Sequence, residues 1–214
     1  MTDKPKDTPY IDDSAGWTCW VPPNVEKIKF QDTIFRATNL DRVYFEGRKI
    51  TEIGDKAFFF HDLLTEVEHL QDQPKLKKIG KRAFAHCPAL MQIGFPEGLE
   101  EIDDGAFQGC LTLGYYSADG IDSTGFRGGR IRFPATLKRI GRDAFEGCRS
   151  LSYIHVPQNC QVEGAVALND ESEAPCEVLP SYKVHIYRVD KEGSKLFGRI
   201  IETCAYIRVI RDVE

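Results

Sequence analysis

The 214-residue chain has only two methionines and two tryptophans, and it contains no run of 18 apolar residues. A chain without such a run carries no ordinary membrane-spanning helix. Its opening, Met1-Thr-Asp-Lys-Pro-Lys-Asp7, lacks the apolar core of a signal peptide, and no Asn-x-Ser/Thr sequon occurs. Both absences lead to the expectation of a cytoplasmic location. Basic clusters dense enough to follow a phosphate backbone are missing and the net charge is −5, so nucleic acid is not an expected partner. There is no phosphate-binding glycine loop, no Gly-x-Ser-x-Gly elbow and no His-Glu-x-x-His pair. The five histidines are scattered. Neither catalysis nor a cofactor is expected.

Metal sites lack support as well. Of seven cysteines, Cys160, Cys176 and Cys204 stand too far apart for a ligand set. Cys87, Cys110 and Cys148 share one position of an internal repeat, which suits a column of small buried thiols. Asp119 and Asp122 lack the third carboxylate and distal Glu of a calcium loop.

What the chain does have is that repeat. Ile53-Gly-Asp-Lys-Ala57-Phe58, Ile79-Gly-Lys-Arg-Ala83-Phe84, Ile102-Asp-Asp-Gly-Ala106-Phe107 and Ile140-Gly-Arg-Asp-Ala144-Phe145 say nearly the same thing, and their isoleucines lie 26, 23 and 38 residues apart. A unit this short cannot bury its own apolar face, so copies must stack into a solenoid. In the regular unit Ile93-x-Phe95 alternates as a half-buried strand, Pro96 ends it, and Leu99-x-x-Ile102 forms a second extended piece. Gly54, Gly80 and Gly141 supply a backbone position that a β-branched residue would strain. Ala-Phe-x-x-Cys is expected to return the chain through one helical or 3₁₀ turn. Phe58, Phe84, Phe107 and Phe145 should stack as a spine, each ring stabilising by roughly 2–3 kcal/mol.

These residues resemble the BspA-like leucine-rich repeat, also called leucine-rich repeat type 5, from about residue 40 to residue 160. The resemblance implies a right-handed solenoid with a parallel sheet on one face, and a role in protein binding or adhesion. It brings no catalytic residues. The expected class is α/β, with short parallel strands and a cap over the apolar rung surface at each end. On this reading residues 1–16 are a loose tail, 17–39 an N-terminal cap with Trp17 and Trp20 as lids, 40–164 the solenoid and 165–214 a C-terminal cap with strands.

Charge follows the same period. The column before each turn isoleucine reads Glu52, Lys78, Glu101, Arg139, and the column two after it reads Asp55, Lys81, Asp104, Arg142. Both alternate in sign, which favours one register over a slipped one.

Two surfaces are candidates for contact with a protein partner. One is the outward row of the strands: Arg42 and Tyr44, Glu66 and Glu68, Gln92, Arg130 and Arg132, Tyr153 and His155. The other is an insertion of 15 residues, 114–128, carrying Tyr115, Tyr116, Phe126 and Arg127. The expected function is a non-catalytic protein-interaction scaffold. A surface adhesin and a structural subunit of a larger assembly are the alternatives.

Overall fold

Alternation within each repeat produces a short strand, and the strands stack in register. The computed structural model describes residues 7–12, 17–29, 39–114, 129–163, 166–167, 177–186 and 201–211. After β1 (Tyr10–Asp12), six strand pairs follow one another. They are β2 (Thr18–Val21) with β3 (Lys27–Ile28), β4 (Arg42–Phe45) with β5 (Glu52–Ile53), and β6 (Glu66–Glu68) with β7 (Lys78–Ile79). Next come β8 (Gln92–Ile93) with β9 (Glu101–Ile102), β10 (Gly129–Arg132) with β11 (Arg139–Ile140), and β12 (Leu151–Val156) with β13 (Gln161–Val162).

The second strands of all pairs form one parallel sheet, β3-β5-β7-β9-β11-β13. Its register keeps Ile28, Ile53, Ile79, Ile102 and Ile140 in a single column, and every one is fully buried. The first strands form a second wall, with β1-β2-β4-β6-β8 as one sheet, parallel from β2 onward.

A third wall comes from the returns. Phe58, Phe84 and Phe107 each donate their N–H to the alanine carbonyl of the next rung, Ala83, Ala106 and Ala144, at 2.7–2.8 Å. The returns were expected to contain a helical or 3₁₀ turn. Among the described residues there is neither; the returns are isolated turns such as Ala57 N–H to Gly54 C=O and Phe59 N–H to Lys56 C=O. The reason is local. Lys56, Arg82, Gly105 and Asp143 take positive φ, and so do Phe60, His86, Gly109 and Gly147 four residues later. A left-handed residue every fourth position stops a helix from propagating and instead aims alternate N–H groups at the next rung.

The glycines after the turn isoleucines serve close approach and not unusual φ. A Cβ on Gly80 would stand 2.7 Å from the Asp55 nitrogen, and one on Gly141 2.5 Å from the Asp104 nitrogen.

Inside the coil the spine forms as expected. Phe58 and Phe84 stack at 5.0 Å, Phe84 and Phe107 at 5.3 Å, and Phe107 and Phe145 at 5.4 Å, with interplanar angles of 11°, 2° and 6°. Beside it each column thiol donates to the spine carbonyl of the rung before: Cys87 to Phe58, Cys110 to Phe84 and Cys148 to Phe107, at 3.0–3.2 Å. The cysteines are therefore buried and polar-satisfied at once. Three extra residues between Ile53 and Ile79 are taken up by turns after His69, closed by the fully buried Gln73, whose side chain bonds the Ile50 amide and the Gly47 carbonyl.

The ends differ from the sequence reading at the N-terminus. Tyr10–Asp12, expected within a loose tail, pairs antiparallel with β2. Residues 18–28, expected as a cap, hold a full strand pair of the solenoid. At the other end β14 (Val166–Ala167), β15 (Glu177–Ile186) and β16 (Ile201–Arg211) follow, with β15 and β16 antiparallel. β16 pairs in parallel with β12, so this hairpin covers the strand edge of the last rung.

Candidate binding surface

Outward side chains of β2, β4, β6 and β8 are placed by the pleat: with Cys19, Val21, Val43, Phe45 and Val67 turned into the core, their neighbours face out. Register then sets Trp20 beside Tyr44 and Tyr44 beside Glu68. The Trp20 and Tyr44 rings lie 4.4 Å apart between centroids, and the His69 ring meets Tyr44 edge-on at 4.9 Å. His69 follows Glu68 in a left-handed conformation (φ 60°). That turn swings a ring outward from the chain position that holds inward Phe45 and Phe95 in the neighbouring rungs. His69 Nδ1 is fixed by Asp72 at 2.8 Å. Beside the rings Arg42 faces Glu66 at 3.9 Å and Glu68 at 4.0 Å. These loose, solvated ion pairs are worth under about 1 kcal/mol and can exchange for a partner's charges.

The candidate residues therefore divide. Arg42, Tyr44, Glu66, Glu68 and Gln92 share one sheet. Arg130, Arg132, Tyr153 and His155 belong to another, where Arg130 pairs with Tyr153 and Arg132 with His155. Among the described residues the ladder is not continued from β8 to β10, so the row is not one continuous strip as the repeat suggested. Arg132 is exposed and His155 half-buried. Tyr115, Tyr116, Phe126 and Arg127 lie outside the described residues, as do the side chains of Arg130 and Tyr153.

The sequence reading placed Trp20 as a lid; it stands on the outward sheet face, one rung before Tyr44. The signal was present. Cys19-x-Val21-Pro22 repeats the alternation and terminal proline of Ile93-x-Phe95-Pro96 and Ile154-x-Val156-Pro157. A second surface was missed altogether. On the return wall Phe60 is 56% and Leu63 53% exposed. Phe60 stacks on His86 at 4.7 Å and meets Phe59 at 4.6 Å. Phe60 adopts φ 63° at a column position filled by glycine in two later rungs.

The opposite sheet is electrostatically closed. Lys27 pairs with Glu52 at 2.8 Å, Lys78 with Glu101 and Asp103 at 3.4 and 2.9 Å, and Arg139 with Glu101 and Glu163 at 2.9 and 2.8 Å. Hydrogen bonds from Lys138 and Lys77 hold the Glu100 carboxyl down to about 2. Burial alone would raise Asp103, but hydrogen bonds from Lys78, the Asp104 amide and Arg139 outweigh it and lower its pKa. Charges satisfied rung to rung offer little to a ligand, which leaves the aromatic face as the better contact surface.

The family model of the BspA type leucine rich repeat region matches in six copies, over residues 19–118 and 121–180. No curated protein matches the chain. Among solved structures, the leucine-rich repeat protein of T. pallidum is similar at TM-score 0.54 and 22% identity, covering 69% of this chain and 68% of that one. A leucine-rich repeat protein from Bacteroides ovatus gives TM-score 0.48 at 23% identity, covering 68% of this chain and 41% of the other. One from Eubacterium ventriosum gives 0.47 at 19%, covering 72% and 36%. At 22% identity the likeness to the T. pallidum protein is one of fold. With six family repeats matched across most of its length and the strand pairs stacked as that repeat requires, the chain belongs to the BspA type leucine-rich repeat family.

Proposed function

We propose that the chain is a non-catalytic protein-interaction scaffold whose partner docks on the outward face of β2, β4, β6 and β8. The observation that carries this reading is the row Trp20, Tyr44 and His69 running across three rungs beside Arg42, Glu66 and Glu68. Rigid amphipathic rings on a hydrogen-bonded sheet supply contact area at little entropic cost, and flanking charges set orientation. The insertion leaves the solenoid at Gly114, next to β8, and is proposed as a second contributor. The buried thiols of Cys19, Cys87, Cys110, Cys148 and Cys160 suit a reducing compartment, which supports a cytoplasmic scaffold over a surface adhesin.

The test is affinity capture on the immobilised chain, identification of the captured protein, and measurement of its affinity for variants. Tyr44→Ala should weaken binding roughly tenfold or more, as expected for an interface anchor. A partner bound equally well by wild type and by a Trp20→Ala/Tyr44→Ala double variant would rule out this face.

A further inference from the structure

We infer that the return wall is a self-association surface, on which two copies of the chain meet about a two-fold axis beside Phe60 and His86. The two rings belong to neighbouring rungs. Phe60 donates its N–H to Ala85 C=O at 3.0 Å, and His86 donates to Gln108 C=O at 2.7 Å. The rings stack at 4.7 Å and both are exposed, Phe60 by 56%. Leu63 beside them is 53% exposed.

The backbone holds these rings out at a cost. Phe60 and His86 take φ 63° and 60° in the column where Gly109 and Gly147 stand in the next two rungs. A bulky residue rarely adopts that conformation, and strained residues gather at contact and switch sites. Glycine at position 60 would meet the same backbone demand without putting a ring in water. The third rung also makes room for the second: a Cβ on Gly109 would stand 3.0 Å from His86 Nδ1, and one on Gly105 3.2 Å from Arg82 Cγ.

Charge decides what covers the patch. Asp62 follows Phe60 in the first of these rungs, and Arg82 precedes His86 in the second. Both are exposed, and neither side chain enters an ion pair among the described residues. An anion and a cation therefore stand at opposite corners of the ring stack. A partner of one sign satisfies only one of them, whereas a second copy satisfies both. A two-fold axis normal to the wall exchanges the two rungs and the two sides, so Asp62 meets the partner's Arg82 and Arg82 meets the partner's Asp62. Lys56 sits over the Phe59 ring at 5.7 Å. The same operation lays it against the partner's Pro88, so no like charges face each other.

The return wall is separate from the outward face of β2, β4, β6 and β8. A dimer joined at the returns displays two aromatic faces, and a partner with two docking segments gains avidity from both. Two rungs make a small interface, at the weak end of specific association, so the dimer is expected to form reversibly with concentration.

Sedimentation velocity on the full chain from about 5 to 500 μM should show the mass rise from monomer to dimer. Phe60→Gly removes the ring and relieves the positive φ, so the variant should melt close to wild type and stay monomeric throughout. Asp62→Arg and Arg82→Asp change exposed side chains. Each alone should dimerise roughly tenfold more weakly, because like charges then meet twice. Mixed in equal amounts the two variants should recover the dimer, since each supplies the charge the other lacks. Trp20→Ala/Tyr44→Ala should dimerise like wild type, so this inference and the aromatic-face reading fail separately. A wild-type chain that stays monomeric at the highest concentration overturns the inference. So does a Phe60→Gly variant that dimerises as wild type does, or a mixture no more dimeric than its components.

Discussion

Phe107 lies between Phe84 and Phe145 in the stacked spine and takes the edge of Phe95 at 5.8 Å. Phe107→Ala opens a cavity with rungs on both sides, and the expected loss is about 3–5 kcal/mol, read as a lower denaturant midpoint. An unchanged midpoint would contradict the spine. The thiol column gives a second prediction at this scale. Burial pushes the Cys87 thiol up to about 12 and raises Cys110 and Cys148 as well. Since the thiolate is the reactive form, all three should label slowly in the folded protein and fast once it is unfolded in denaturant. Fast native labelling would place the column outside. Both columns were legible from the sequence because one residue type recurs at one position, and burial is the only role that repeats with the rungs. Phe60 was not legible. It belongs to a run of three phenylalanines, Phe58, Phe59 and Phe60, and only the positive φ at its position decides which ring faces water.

Between elements, alternating charge proved legible for the same reason, since facing residues in a parallel ladder are one repeat apart. Its energetic consequence is a pH dependence. The folded-state pKa of Glu100 is depressed from 4.5 to about 2, and that of Asp103 is lowered too. Their stabilisation is thus complete above about pH 4.5 and is lost as pH falls toward 2. The melting temperature should fall through that window, and Glu100→Gln should flatten the fall; equal slopes for variant and wild type would remove Glu100 from the account. The broken ladder at β8 and β10 was not legible, because a gain of 15 residues reads as a loop and says nothing of its rim. The contact of Gly114 with Gly129 shows that the ends of the insertion meet. Deleting residues 114–128 returns the spacing of 38 to 23. The shortened chain should fold with a melting temperature near wild type; loss of the circular dichroism transition would mean that the insertion belongs to the core.

At the scale of the whole molecule, the stacked repeat leaves three walls with different fates. One sheet neutralises its own charges, the return wall exposes Phe60 and Leu63, and the remaining sheet presents Trp20, Tyr44 and His69. The architecture followed from the repeat because six rungs with a common period have few ways to bury Ile, Phe and Cys together. The proposed contact face did not follow fully, since it includes Trp20 from a rung whose turn isoleucine, Ile28, lacks the Gly and Ala-Phe of the others. Which wall meets the partner is the claim on which the functional account rests. Hydroxyl-radical footprinting tests it most directly, because Trp, Tyr and Phe side chains all report their exposure. In the complex with the captured partner, Trp20 and Tyr44 should be protected while Phe60 labels at its rate in the chain alone. Protection of Phe60 with Trp20 and Tyr44 labelled as before would contradict the account and move the interface to the return wall.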